Sequence, residues 1–280
     1  MLYAELSKVL YGMLQASLKF WDQITEDITS LGYTINPYDW CVANKVVNGK
    51  QHTIGWHVDD FLMTHEDPTV NDGLISWFQE KYGKLTPLTV HRGSVHDYLG
   101  MTLDFSSEGK VIVTMIDYIE RLLDESPPEF SGEAATPAGK HLFDTEENAT
   151  KLEEERAQIF HHLVARALFL CKRARPDIQL AVGFLTTRVR SPDEHDWKKL
   201  RRMIQYLRST TDLPLTLEAD DGQVVKWWID AAFAVHSDMK SQSGGVMSMG
   251  KGIAYGSSIC LLYTSPSPRD QRGSRMPSSA

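Results

Sequence analysis

Residues Gln51 to His65 read QHTIGWHVDDFLMTH, two runs of strand-forming residues that meet at Asp59-Asp60. Strand-prone runs this close together predict a β-hairpin with the two acids at its tip. Helical patterns flank the hairpin on both sides. From Leu18 to Leu31, Phe20, Trp21, Ile24, Ile28 and Leu31 recur at helical spacing, and Gly32 follows as a C-terminal cap. From Pro68 to Tyr82, Val70, Leu74, Trp77, Phe78 and Tyr82 do the same, and Gly83 stops the run. A strand is expected over 39–47. A second hairpin is expected where Leu99, Met101, Leu103 and Phe105 alternate with polar or small residues, SSEG turns, and KVIVTM runs back. A helix should follow over 116–123.

Pro127, Pro128, Gly132, Pro137 and Gly139 then interrupt regular structure, so 127–150 is the expected linker. Apolar faces resume on three helical segments: Leu152 to Leu170, Ile178 to Val189 behind Pro176, and Trp197 to Leu207. Joined by short turns, they should pack as a small bundle. After Pro214 the texture changes to strands, LTLEA, VVKWWIDAAFAV and GGVMSMGKGIAYGSS. The sequence therefore predicts an α+β chain with segments at 1–126, 151–212 and 213–259 around the linker. The final stretch, 260–280, turns abruptly to Ser, Pro and Arg and cannot supply a core. It resembles the translation of a sequencing-library adapter, the alternative being a native disordered tail.

Charge narrows the function classes. The chain of 280 residues carries 29 Lys and Arg against 37 Asp and Glu, a net charge of −8, which excludes a surface that coats nucleic acid throughout. The average hides a polarity. Between Ala165 and Arg208 eleven basic residues stand against four acids, and just before them Asp144 to Glu155 holds six acids and one lysine. A basic block of this kind is a footprint of phosphate contacts or a solvated helix face. Three distant cysteines offer neither a disulfide framework nor a CxxC site. The start, MLYAELSKVLYG, lacks the charged and apolar regions of a signal peptide, and no apolar run spans a membrane. A soluble, non-secreted protein is expected. His161-His162 has no ligand at helical spacing and reads as polar surface.

Asp59-Asp60 is the sharpest chemical feature. Adjacent side chains at a tight turn project differently, so one acid can ligate a metal while the other supports it. Aspartate is equally at home in hairpin turns for conformational reasons.

The motif order adds to this. Leu10-Tyr11-Gly12-Met13-Leu14-Gln15-Ala16, then His57-Val58-Asp59-Asp60, then VHDYLGMTLDF, then Arg173-Ala174-Arg175-Pro176-Asp177-Ile178, then Trp197 to Arg202 with Tyr206-Leu207-Arg208, then Trp228-Ile229-Asp230-Ala231-Ala232-Phe233-Ala234 with Ser243-Gly244-Gly245, resembles the reverse transcriptase of copia-type retrotransposons running into RNase H. The resemblance covers about Leu6 to Ser258. It implies a partial right-hand polymerase palm, a helical thumb or connection bundle, and the first strands of an RNase H-like sheet. On that footing Asp59, Asp60 and Asp230 are catalytic carboxylates for Mg2+ or Mn2+. Gly12 and Gln15 lie near the nucleotide and template. His57 takes the place of the family's usual aromatic beside the primer end. Lys172, Arg173, Arg175, Lys198, Lys199, Arg201 and Arg202 cradle the nucleic-acid backbone. The implied partners are an RNA template, a DNA primer, their hybrid, deoxynucleoside triphosphates and the rest of a polyprotein, in cytoplasmic virus-like particles and the nucleus. The family's first palm aspartate lies upstream of the Leu-Tyr-Gly box and the partner acids of Asp230 lie downstream, so neither metal site is expected to be complete here. Two further readings stay open: a degenerate or domesticated fragment that binds nucleic acid without catalysis, and an unrelated metal-dependent hydrolase.

Overall fold

A computed structural model describes residues 12–13, 15–84, 86–146, 148–220 and 224–261. The chain divides after His91 into two compact units. In the first, helix α1 (Ala16–Ser30) leads through β1 (Thr34–Ile35) and β2 (Val42–Val47) into β3 (Lys50–His57), β4 (Asp60–Thr64) and helix α2 (Pro68–Tyr82). The strands form one antiparallel sheet in the order β1-β2-β3-β4. Alternation places His52, Ile54 and Trp56 of β3 inward, against Ile24 and Ile28 of α1 and Leu74 and Phe78 of α2. Asp67 caps α2 by accepting from the Thr69 amide at 2.9 Å, with Pro68 in the first turn.

Among the described residues, Asp27 and His52 are polar side chains buried inside this unit. Asp27 of α1 accepts from Gln23 at 3.1 Å and from Lys81 and Tyr82 of α2, which ties the two helices together. Burial pushes its carboxyl up, and the bonds from Lys81, Tyr82 and Gln23 more than reverse this, leaving it below the usual value. His52 is fully buried with its Nδ1 2.6 Å from the Tyr33 hydroxyl.

The second unit begins with a meander of β5 (Val95–Tyr98), β6 (Met101–Asp104) and β7 (Lys110–Thr114), followed by α3 (Ile116–Asp124). The bundle comprises α4 (Glu154–Cys171), α5 (Gln179–Thr186) and α6 (Glu194–Ser209). Its core holds Phe160, Leu163, Leu170, Leu185, Leu200 and Leu207. At the start of α6, Asp193 accepts from the Asp196 amide at 3.0 Å and Asp196 accepts in return from the Asp193 amide at 3.2 Å, a reciprocal cap. Strands β8 (Leu215–Ala219), β9 (Lys226–Ala232), β10 (Ser241–Ser248), β11 (Gly250–Lys251) and β12 (Tyr255–Leu261) complete it.

Three placements differ from expectation. Strand β8, grouped by sequence with the strands that follow it, pairs with β7 in a five-stranded sheet ordered β11-β8-β7-β6-β5, while β9, β10 and β12 form a separate sheet. The 127–150 segment is no free linker. Phe130 is fully buried with its ring 4.8 Å from that of Trp197, and Gln205, Arg202 and Ser209 of α6 donate to the Ser131 carbonyl, the Thr136 hydroxyl and the Ala134 carbonyl at 2.6, 2.9 and 3.0 Å. Beyond a single 3-10 turn at Pro128–Phe130 the described residues of the segment, rich in proline and glycine, form no helix or strand, and α6 side chains satisfy part of its backbone. Cys260 and Leu261, assigned by sequence to the terminal tail, belong to β12, where Cys260 is the register partner of Gln242. The remainder of that tail, and Leu10, Tyr11 and Leu14 of the upstream motif, lie outside the described residues.

Candidate functional site

The hairpin tip in the first unit is built as the sequence predicts. His57 and Asp60 are the closing register pair of β3 and β4, which leaves Val58 and Asp59 as the two turn residues. All four are exposed. Their backbone is unusual: Val58 has φ +55°. An L-residue in the left-handed region costs roughly 1–2 kcal/mol, and a β-branched one fits it worst. The neighbouring two-residue turn between β2 and β3 solves the same problem with Asn48 and Gly49, at φ +53° and +78°. Sequence reasoning missed the strain at Val58, although a valine where asparagine or glycine belongs was a visible signal.

Gly12 is exposed with φ +88°, and Gln15 stands at the N-cap of α1 without a side-chain cap bond. In the second unit Asp230 lies on β9, the edge of its sheet, opposite Gly244; it is exposed, and its carboxylate accepts from the Ala231 amide at 2.9 Å. Among the described residues no three His, Cys, Asp or Glu side chains converge. Two adjacent exposed carboxylates supply too little charge and too few ligands for a pair of divalent ions, so the residues described do not by themselves fit the implied Mg2+ or Mn2+.

The basic block separates into two kinds of residue. Arg175 is a correction to the sequence reading. It is buried, donates through Nε at 2.9 Å and Nη2 at 2.8 Å to Asp177, and reaches the Thr210 carbonyl and hydroxyl at 2.7 Å each. A guanidinium with its fork spent in this way locks the end of α4 to the end of α6 and has no face for a phosphate. Arg173 lies 3.5 Å from the Phe169 ring centre, and exposed Lys172 donates to the Gly256 carbonyl at 3.2 Å. Helix α6 differs. Lys198, Arg201, Arg202 and Arg208 are exposed on it, and among the described residues Lys198 and Arg201 make no ion pair. Lys199 is half-buried, 4.5 Å above the Phe184 ring, and burial pushes its ammonium below the usual value. His195, Lys198, Lys199 and Arg202 fall at helical i, i+3, i+4 and i+7 positions and line one cavity of about 420 Å³. His195 was not singled out from the sequence, though its spacing to Lys198, Lys199 and Arg202 carried the signal.

The chain is similar to a transposon Ty5-1 protein of Saccharomyces cerevisiae, 24% identical over 247 residues that cover 88% of this chain and 77% of that protein. It is also similar to the retrovirus-related Pol polyprotein from transposon TNT 1-94 of Nicotiana tabacum, 25% identical over 249 residues, 87% of this chain and 18% of the polyprotein. It thus spans under a fifth of the tobacco relative's length. No family model and no solved structure matches it. With the motifs carried in order, the chain is a relative of copia-type retrotransposon polyproteins.

Proposed function

We propose that the chain is the part of a retrotransposon polyprotein that copies RNA into DNA, with its last strands opening an RNase H domain. The observation that carries this reading is the strained two-residue turn holding Asp59 and Asp60 in the open, at the end of a sheet backed by two helices. Strain kept at an exposed tip is a mark of function. In this reading the hairpin carries the carboxylates and His57 packs beside the primer end. Helix α6 holds the template-primer backbone through Lys198, Arg201 and Arg202, a contact blind to sequence and sensitive to salt. Asp230 belongs to the adjoining hybrid-cleaving site. The wider partners are deoxynucleoside triphosphates and the remainder of the polyprotein, in virus-like particles.

A second reading, a co-opted fragment that binds nucleic acid without catalysis, is favoured by the lack of any converging third ligand among the described residues. One assay separates the two. The chain is given a primed RNA template with Mg2+ or Mn2+, and extension and hybrid binding are both measured. With its metal site incomplete the chain is expected to bind the hybrid without extending it, so a matched deoxynucleoside triphosphate is added. Hybrid binding that tightens with the nucleotide and loses that gain in Asp60→Asn supports the polymerase reading, binding indifferent to nucleotide supports the second, and no hybrid binding refutes both.

A further inference from the structure

The strap that runs along α6 brings acids to the helix's cations. Its residues Pro137, Gly139, His141 and Leu142, with Asp144 and Glu146, form one wall of the 420 Å³ groove, and the His195, Lys198, Lys199 and Arg202 stripe forms the other. The strap is anchored from behind: Leu142 is buried, and the Phe143 ring lies 4.6 Å from that of His236 and 5.8 Å from that of Phe184. Its acidic side chains are not anchored. Those of Asp144 and Glu146 are 69% and 65% exposed and, among the described residues, pair with histidines, Asp144 with His141 at 2.7 Å and Glu146 with His195 at 3.2 Å. Lys199 is held by the Asp144 carbonyl, and Arg202 uses one Nη on the Thr136 hydroxyl at 2.9 Å. Lys198, Lys199 and Arg202 set three cations in the groove against two carboxylates. It is a cationic slot whose negative groups come from the chain itself.

We propose that this groove takes a backbone phosphodiester of a nucleic acid, and that the negative charge of Asp144 and Glu146 in the same groove opposes its entry. The proposal rests on the reading of α6 as a nucleic-acid surface and adds the site and its internal opposing charge. Side chains so exposed can turn away from His141 and His195 without moving the strap, so a phosphate can enter with the backbone left in place. Exposed pairs of this kind contribute little to stability, so their removal should leave the fold intact.

The test is binding of a fluorescently labelled RNA–DNA hybrid to the full chain across a salt series, compared between the native sequence, the D144N/E146Q pair and the K198Q/R202Q pair. The acid pair should tighten binding about threefold to tenfold at low salt, with the gain shrinking as salt rises. The cation pair should weaken binding and lower the slope of log affinity against log salt by about two. If the cation pair weakens binding and the acid pair leaves it unchanged or weaker, the opposition by the acids is overturned while the α6 surface stands. If the cation pair has no effect, both fall together. Inorganic triphosphate is titrated in parallel. Saturable binding of triphosphate at α6, read by exchange of the α6 amides, with no response of hybrid affinity to either variant pair, would overturn the phosphodiester assignment.

Discussion

Arg175→Ala should loosen the second unit and leave hybrid binding by the folded protein unchanged. Arg175 is 1% exposed, and its removal strips the Thr210 carbonyl of a donor at 2.7 Å and Asp177 of its partner at 2.8 Å. Breaking a buried pair from one side costs roughly 3–5 kcal/mol. Asp177 keeps 29% of its side chain in water and a bond from Tyr206 at 2.8 Å, so it recovers part of that. The loss should sit at the lower end, about 3 kcal/mol. Arg175→Lys should do little better, because one ammonium cannot reach both the Asp177 carboxylate and the Thr210 carbonyl in the geometry of a fork. Hydrogen exchange of the α6 amides reads the effect directly, as protection that falls by about a hundredfold or more for 3 kcal/mol. The binding arm is the stringent one. If Arg175→Ala leaves α6 protection intact but weakens hybrid binding and lowers the salt slope by about one, the guanidinium meets a phosphate and the assignment of Arg175 to the lock is wrong.

Two predictions concern the first unit. Burial, with the charges of His65 and Lys45, pushes His52 below its ordinary value against a smaller opposing bond from Asn71. The unfolded chain then binds the extra proton, so stability is full above pH about 6.5 and lost as pH falls through it, by at most about 1.4 kcal/mol per pH unit. Urea midpoints from pH 5 to 7.5 should show this fall, and His52→Phe should flatten it; equal slopes in the two proteins would assign the fall elsewhere. Val58→Asn should raise stability by up to about 1 kcal/mol, since asparagine tolerates positive φ and the lost valine is half exposed. A drop of more than about 1 kcal/mol in the same titration would mean that the side chain, and not the backbone, is what the turn depends on.

The elements were legible because their signals are local. Apolar spacing placed α1, α2, α4 and α6, and two runs of strand-forming residues placed the β3–β4 hairpin with its acids at the tip. Partners were not legible. Periodicity tells which face of a strand is buried and not which edge accepts it, so LTLEA was grouped with its sequence neighbours although it pairs with β7. Burial of charge was hidden for the same reason. Arg173 and Arg175 are two apart in one basic run, yet one stacks on Phe169 at the surface and the other closes a buried network with Thr210, far along the chain. The strap shows the limit of composition: proline and glycine excluded regular structure, and only the position of α6 decided that the segment lies down.

The pairing of β7 with β8 also sets a clock. Thr114 ends β7 and Leu215 begins β8, so on a ribosome adding roughly 5–20 residues per second the outer edge of β7 waits about 5–20 s for its neighbour to emerge. Through that interval Val111 and Val113 stand on an open strand edge with only Lys110 to discourage a wrong partner. Nascent chains on one message are close together and identical at this edge. Slowed translation between the two strands should therefore lower the soluble yield of this protein, and supplying the 215–219 strand earlier, by circular permutation, should raise it.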